Sequence, residues 1–203
     1  MTTKTHTMSK QGAQTIEAQP RFKQRSYEIQ QYGQLHAMPL SLPESAIKQN
    51  VECLNHLVAD SITLYSLYKK HHWQMTGPTF YQLHLLLDEH AEQIEKTIDL
   101  LAERVQQLGG VTIAMPHDVA ELTKIERPPK GVEDVPAMLS RLVSAHATVI
   151  QGVREGIELS DKNKDYTTND ILTSEVLPLQ EMQTWFISQH LVDTPFASFK
   201  EEG

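Results

Sequence analysis

From about residue 43 onward, apolar residues recur every three or four positions in four separate stretches. Ile47, Val51, Leu54, Val58, Ile62 and Tyr65 mark the first, and Lys69 continues the spacing. Leu57, Leu64, Leu67 and Tyr68 widen that stripe, so a helix over about 43–75 is expected, buried on more than one side. Phe80, Leu83, Leu87, Ile94, Ile98, Leu101, Val105 and Leu108 predict a second helix over about 78–108. Leu139, Leu142, Val143, His146, Val149, Ile150, Val153 and Ile157 predict a third over about 134–159, with His146 as a core histidine. Leu172, Val176, Leu179, Met182, Trp185 and Phe186 are expected to face inward from a fourth, over about 168–191 and kinked at Pro178.

The breaks between these stretches fix the order. Gly77-Pro78 separates the first two helices, and Gly109-Gly110 stops the second. Residues 109–133 hold Pro116, Pro128, Pro129 and Gly131, a long crossover with room for a short helix over about 116–125. A polar turn over about 160–167 joins the last two helices. No strand-like alternation and no internal repeat is present. The expected fold is all-α: a four-helix bundle over 41–192 with one long crossover between helices two and three. Residues 1–40 read as a mobile N-terminal tail and 193–203 as a C-terminal one.

Charge and composition narrow the function. The net charge of -8 argues against a generally basic nucleic-acid binder and suits a protein that attracts cations. The tail is the exception: Lys4, Lys10, Arg21, Lys23 and Arg25 outnumber Glu17 and Glu28. Either it is a leader without a role, or an arm that contacts DNA or aids assembly. Cys53 is the single cysteine, which excludes a disulfide framework, and its apolar mid-helix setting favours packing over nucleophilic chemistry. The first thirty residues lack the apolar stretch of a secretory leader, and no run of eighteen apolar residues occurs. A cytoplasmic setting without membrane contact is expected.

The chemistry concentrates in the second helix. His84 and Asp88 are four apart, as are Asp99 and Glu103, so each pair shares a helix face. At about 100° per residue all four fall within about one quadrant. His84 and Asp99 are nevertheless roughly 22 Å apart along the axis, too far for one helix to close both pairs on one ion. The pairs are symmetric about a point between Gln93 and Ile94. Two copies laid antiparallel about a two-fold axis there set Asp88 against Asp99 of the partner subunit, and His84 against Glu103 of the partner subunit. The spacing thus predicts two equivalent shared sites, with a dimer as the smallest functional unit.

Imidazole with carboxylate suits Fe(II), Mn(II) or Zn(II) and leaves open positions for water or peroxide. Bundles that hold two irons internally use Glu-x-x-His motifs, and none occurs here. His-Glu-x-x-His, phosphate-binding glycine loops and Gly-x-Ser-x-Gly are also absent.

The run His72-Trp73-x-Met75-x-Gly77, then Phe80, His84, Asp88, Asp99, Ala102-Glu103-Arg104 and Leu108-Gly109-Gly110, resembles the Dps family. The likeness is specific over 70–110, looser over 45–191, and does not reach the tail. It implies a ferritin-like four-helix bundle assembled as a hollow twelve-subunit shell. It also implies Fe(II) oxidation, usually by hydrogen peroxide, with ferric mineral stored inside, protection against oxidative damage, and a possible association with the nucleoid. Metal ligands would be His72, His84 and Asp88 of one subunit with Asp99 and Glu103 of its two-fold partner, and zinc is a possible substitute for iron. Trp73 would lie beside the site and absorb stray oxidising equivalents. Asp161, Asp165 and Asp170 are candidates for an acidic entry pore, with a solvated loop as the equal alternative. His71 and His90 have no firm counterparts and are expected at the surface. The competing reading is a DNA-compacting protein acting through its tail, with metal incidental.

Overall fold

A computed structural model describes residues 28–193, and the outer parts of both expected tails, 1–27 and 194–203, lie outside the described residues. Helix α1 spans Glu44–Gln74, α2 Phe80–Gln107, α3 Pro116–Leu122 and α4 Val135–Lys162. The fourth long element is composite: α5 (Tyr166–Asp170), a π-helical segment Ile171–Val176, and α6 (Leu177–Gln189). No strand occurs among the described residues. The fold is a four-helix bundle, with the crossover between α2 and α4 carrying the short helix α3. The core runs through all four long elements, with Leu54, Leu64, Leu87, Ile94, Leu101, Leu142, Val149 and Leu172 sealed from solvent.

The α1–α2 turn is set by Gly77, whose φ of 96° lies in the left-handed region that favours glycine. The end of α2 is a Schellman cap: Gly109 N–H donates to Gln106 O at 2.9 Å and Gly110 N–H to Val105 O at 3.0 Å. Gly109 is required twice over, because a Cβ there would also lie 2.3 Å from the His36 carbonyl. His36 N–H donates to Gly109 O at 3.0 Å, and the Gln30 side-chain amide donates to the same oxygen at 2.9 Å. Residues from Gln30 to His36, inside the expected tail, are therefore seated on the end of α2.

Helix α4 starts on an Asp134 cap, whose carboxylate accepts from Ala137 N–H at 2.8 Å. It runs past the expected stop at 159 to Lys162, because Ser160, Asp161 and Lys162 include no helix breaker. Asn163 then pins the short turn to α1, donating to Asn50 Oδ1 at 3.0 Å. Asp165 caps α5 and is buried against Arg104 of α2, so the loop is bolted to the bundle rather than solvated.

The last helix corrects the predicted face. Its buried positions are Leu172, Val176, Gln180, Gln183 and Ile187, while Met182, Trp185 and Phe186 are exposed. Proline at 178 removes one backbone donor, and the turn before it widens to π geometry. The wider turn lengthens the repeat and carries the inner face onto two glutamines instead of Leu179 and Met182.

Candidate metal centre

The C-terminal part of α1 and the N-terminal part of α2 meet at one corner of the bundle. There the rings of His72 and His84 stack, with centroids 3.8 Å apart and planes 18° apart. His72 Nδ1 donates to the backbone carbonyl of His84 at 2.8 Å, and His84 Nδ1 donates to that of His72 at 3.0 Å. This reciprocal pairing fixes both tautomers and leaves both Nε2 atoms as bare lone pairs, the arrangement in which imidazole ligates a metal. Phe80 stacks on the outer face of His84 at 4.9 Å. Asp88 completes the corner, its Oδ1 lying 3.9 Å from His72 Nε2.

Lys69, which continues the apolar spacing of α1, also occupies this corner. Lys69 Nζ donates to Asp88 Oδ1 in a partly exposed ion pair. That hydrogen bond holds the Asp88 carboxyl below the usual carboxylate range and the Lys69 ammonium above its own. The same ammonium sits 5.9 Å from the ring centre of Trp73, which is 72% exposed. Lys69 lies three residues before His72, so helical spacing alone was enough to place it here.

Asp99 and Glu103 are exposed on α2, well away from this corner. The chain thus brings His72, His84 and Asp88 together and leaves the other two expected ligands apart. Among the described residues, no group of three or more His, Cys, Asp or Glu side chains is placed to hold a metal within one chain.

His71 and His90 are not at the surface as expected: they are 0% and 3% exposed. His71 follows Leu64 and Leu67 at helical spacing and His90 lies between Leu87 and Ile94, so the stripe itself carried the signal. Burial pushes the pKa of each down to about 4 and keeps the rings neutral. His90 Nδ1 lies 3.1 Å from the Tyr68 hydroxyl, and His146 Nε2 lies 2.6 Å from the same oxygen. His146 Nδ1 donates to Gln180 Oε1 at 2.7 Å. Gln183 donates to the His90 carbonyl and to Gln93 Oε1 at 3.2 and 2.9 Å.

Of the three pore candidates, Asp165 is excluded. It accepts from Arg104 at 2.7 Å, from Asn50 at 2.8 Å and from the Thr168 hydroxyl at 2.6 Å, all inside the bundle. Burial pushes its carboxyl up, but the Thr168 donors, Arg104 and Asn50 outweigh it and hold the pKa below its ordinary value. Asp161 and Asp170 are exposed. Cys53 packs against Gly156, and burial pushes its thiol up to about 11, in keeping with an inert packing role.

The class follows from the bundle and the crossover: a family model for the ferritin-like domain matches residues 51–197. DpsC from Streptomyces coelicolor superposes with a TM-score of 0.82 at 46% identity, covering 85% of this chain and all of that one. The DNA protection during starvation protein of Halobacterium salinarum is 34% identical over 142 residues, 70% of this chain and 78% of that protein. The protein of the same name from Agrobacterium fabrum is 32% identical over 156 residues, 77% of this chain and 96% of that one. The chain belongs to the Dps family of ferritin-like proteins. No helix among the described residues is long and apolar enough to cross a membrane.

Proposed function

We propose that this protein oxidises Fe(II), with hydrogen peroxide as the oxidant, and sequesters the ferric product inside a hollow shell of twelve copies. The observation that carries this reading is the reciprocal His72–His84 pairing, which leaves both Nε2 atoms bare, with the Asp88 carboxylate 3.9 Å from that of His72. Iron is the substrate here. His72 and His84 supply nitrogen, Asp88 supplies oxygen, and Asp99 and Glu103 of the two-fold partner complete the site with carboxylates that can bridge two ions. Zinc fits the same donors and would act as a competitor.

Lys69 has a defined part in this scheme. With no cation bound, its ammonium neutralises Asp88. An arriving Fe(II) must displace it, so the oxygen ligand is held ready while metal affinity is kept weak. A weak, partly open site suits a centre that passes its product on rather than keeping it. Membership of the ferritin-like family and the exposed placing of Asp99 and Glu103 on α2 support a site shared between copies.

The test is Fe(II) oxidation kinetics on the full-length protein, with hydrogen peroxide and oxygen as alternative oxidants and native mass recorded in parallel. Glu103→Ala is expected to cut oxidation while leaving assembly intact. Unchanged kinetics would remove Glu103 from the site, and a fully active monomer would end the shared-site reading. The second reading, DNA compaction, draws on the basic residues of 1–40 and on relatives named for DNA protection. A gel shift comparing full-length and tail-deleted protein at low salt decides it.

A further inference from the structure

Four buried side chains in the bundle core, Gln180, His146, Tyr68 and His90, form a single file with a definite direction. His146 Nδ1 faces Gln180 Oε1 at 2.7 Å and so carries the ring proton. Its Nε2 is then a bare acceptor, and the Tyr68 hydroxyl donates to it across 2.6 Å. His90 Nδ1–H donates to the Tyr68 oxygen from the other side at 3.1 Å. Tyr68 is 0% exposed, so this arrangement is shut off from bulk water. A fully buried phenol needs one partner to be satisfied, and here it has two imidazoles, one at each end of its hydroxyl.

Tyr68 also lies one helical turn before His72 on α1, about 6 Å along the axis. A core tyrosine thus sits within easy electron-transfer reach of the corner, with a proton acceptor already in place. Among the described residues it is the tyrosine whose hydroxyl is hydrogen-bonded to a side-chain nitrogen.

We propose that Tyr68 is a redox-active tyrosine that takes up one oxidising equivalent from the neighbouring corner and hands its phenol proton to His146. The inference rests on the iron-oxidation reading for the source of the oxidant. That oxidant is of the hydroxyl-radical class, formed when a single Fe(II) meets peroxide: Fe(II) becomes Fe(III), and the peroxide splits into hydroxide and a hydroxyl radical. One electron passes from Tyr68 to the radical, which becomes a second hydroxide. The phenol O–H bond breaks, an Nε2–H bond forms on His146, and a neutral phenoxyl is left facing an imidazolium. The next Fe(II) returns one electron to the phenoxyl, the proton moves back, and that iron becomes Fe(III).

The surroundings fit this traffic. Burial pushes the His146 pKa down to about 4, so the ring is neutral and its Nε2 is free to accept. An oxidised phenol is a strong acid, and even a weakly basic imidazole takes its proton. Exposed Trp73 would lose its proton to water, whereas the Tyr68 proton stays within 2.6 Å and the step is reversible.

Two arms test the proposal on the full-length assembled protein. In the first, Fe(II)-loaded protein is mixed with limiting peroxide, freeze-quenched and read by electron paramagnetic resonance. A tyrosyl signal is expected, lost in Tyr68→Phe and kept in Tyr65→Phe. In the second, iron-free protein is oxidised by a flash-driven ruthenium tris-bipyridine and persulfate couple, which reads the tyrosine without iron. His146→Gln is expected to raise the lowest-field g value of the radical and shorten its lifetime, a signature that mere packing would not move. A signal unaffected by Tyr68→Phe, or a spectrum unmoved by His146→Gln, overturns the proposal. Iron oxidation without a Tyr68 radical overturns it and leaves the iron reading standing. A flash-driven Tyr68 radical without iron oxidation supports the tyrosine and overturns the iron reading. Native mass of each variant shows that the assembly is retained.

Discussion

Two histidine pairs lie within a few turns of each other, and the fold treats them in opposite ways. At the corner, His72 and His84 use one ring nitrogen each on a backbone carbonyl and leave the other bare. In the core, His146 uses both nitrogens, on Tyr68 and Gln180, and His90 is locked to the same phenol. In the corner pair His84 is partly exposed and His72 is flanked by a carboxylate; both members of the core pair are buried. Which nitrogen is left over, and whether anything can reach it, makes one pair the proposed ligands and the other a buried hydrogen-bonded pair. Residue type and helical spacing do not.

The sharpest way to break this contrast is to remove one ring from the corner. His84→Ala deletes one of the proposed nitrogen ligands and unseats its stacking partner, but touches little of the core. Loss of an outer-shell partner alone typically costs about 10–100-fold, so loss of the ligand is expected to lower the initial rate of Fe(II) oxidation by roughly 100-fold. The denaturation midpoint should move little. A rate within a factor of about two of wild type would show that the corner is not where iron reacts.

The matching change in the core is His146→Ala. It strands the Tyr68 hydroxyl and Gln180 Oε1 in a sealed interior and leaves a cavity. An unpaired buried group costs about 1–3 kcal/mol, so a loss of about 3 kcal/mol or more in chemical denaturation is expected. A neutral outcome would mean that the core file is not holding the bundle.

The same comparison was only half legible in the sequence. The helices, their order and the crossover came from the spacing of apolar residues and from Gly77-Pro78 and Gly109-Gly110. The symmetry of His84/Asp88 and Asp99/Glu103 pointed to a site that one helix cannot close, and the resemblance supplied His72. What could not be read was the core polar file. Gln180 and Gln183 look like surface residues until the π turn before Pro178 rotates them inward. His71 and His90 sat on the apolar stripe all along, and polarity outweighed periodicity in assigning them. Asp165 was misplaced for a related reason: its loop is acidic in sequence, but Arg104 reaches it from α2, 61 residues earlier. Long-range polar pairs leave no periodic trace.

Acid should separate the two regions by stability rather than activity. Burial pushes the His146 pKa down to about 4, whereas a histidine in the unfolded chain titrates at its ordinary value of 6.5. Between those values the unfolded state binds a proton that the folded state refuses, so stability falls as pH drops from about 6.5 to about 4 and is full above that window. Asp165, depressed below its ordinary value, acts lower down: its contribution is present above the unfolded carboxylate range and is lost only as pH falls through its folded pKa. His71 and His90 are shifted the same way, so denaturation midpoints measured across pH should slope between about 6.5 and 4 in wild type, and the slope should fall by about a third in His146→Gln. An unchanged slope would put the proton uptake elsewhere.

The smallest expected effect concerns Lys69, and it sharpens the idea that the corner is held ready but loose. Lys69 and Asp88 are both partly exposed, and ion pairs of that kind contribute at most about 1 kcal/mol. Lys69→Met keeps the apolar stem over Trp73 and removes the competing ammonium. Releasing about 1 kcal/mol corresponds to a gain of no more than about fivefold in affinity for a divalent cation at the corner. Anaerobic Fe(II) titration and Zn(II) competition would both read it. If the ammonium instead helps to place the carboxylate, affinity should fall rather than rise. The sign of so small a change therefore decides whether Lys69 guards Asp88 or serves it.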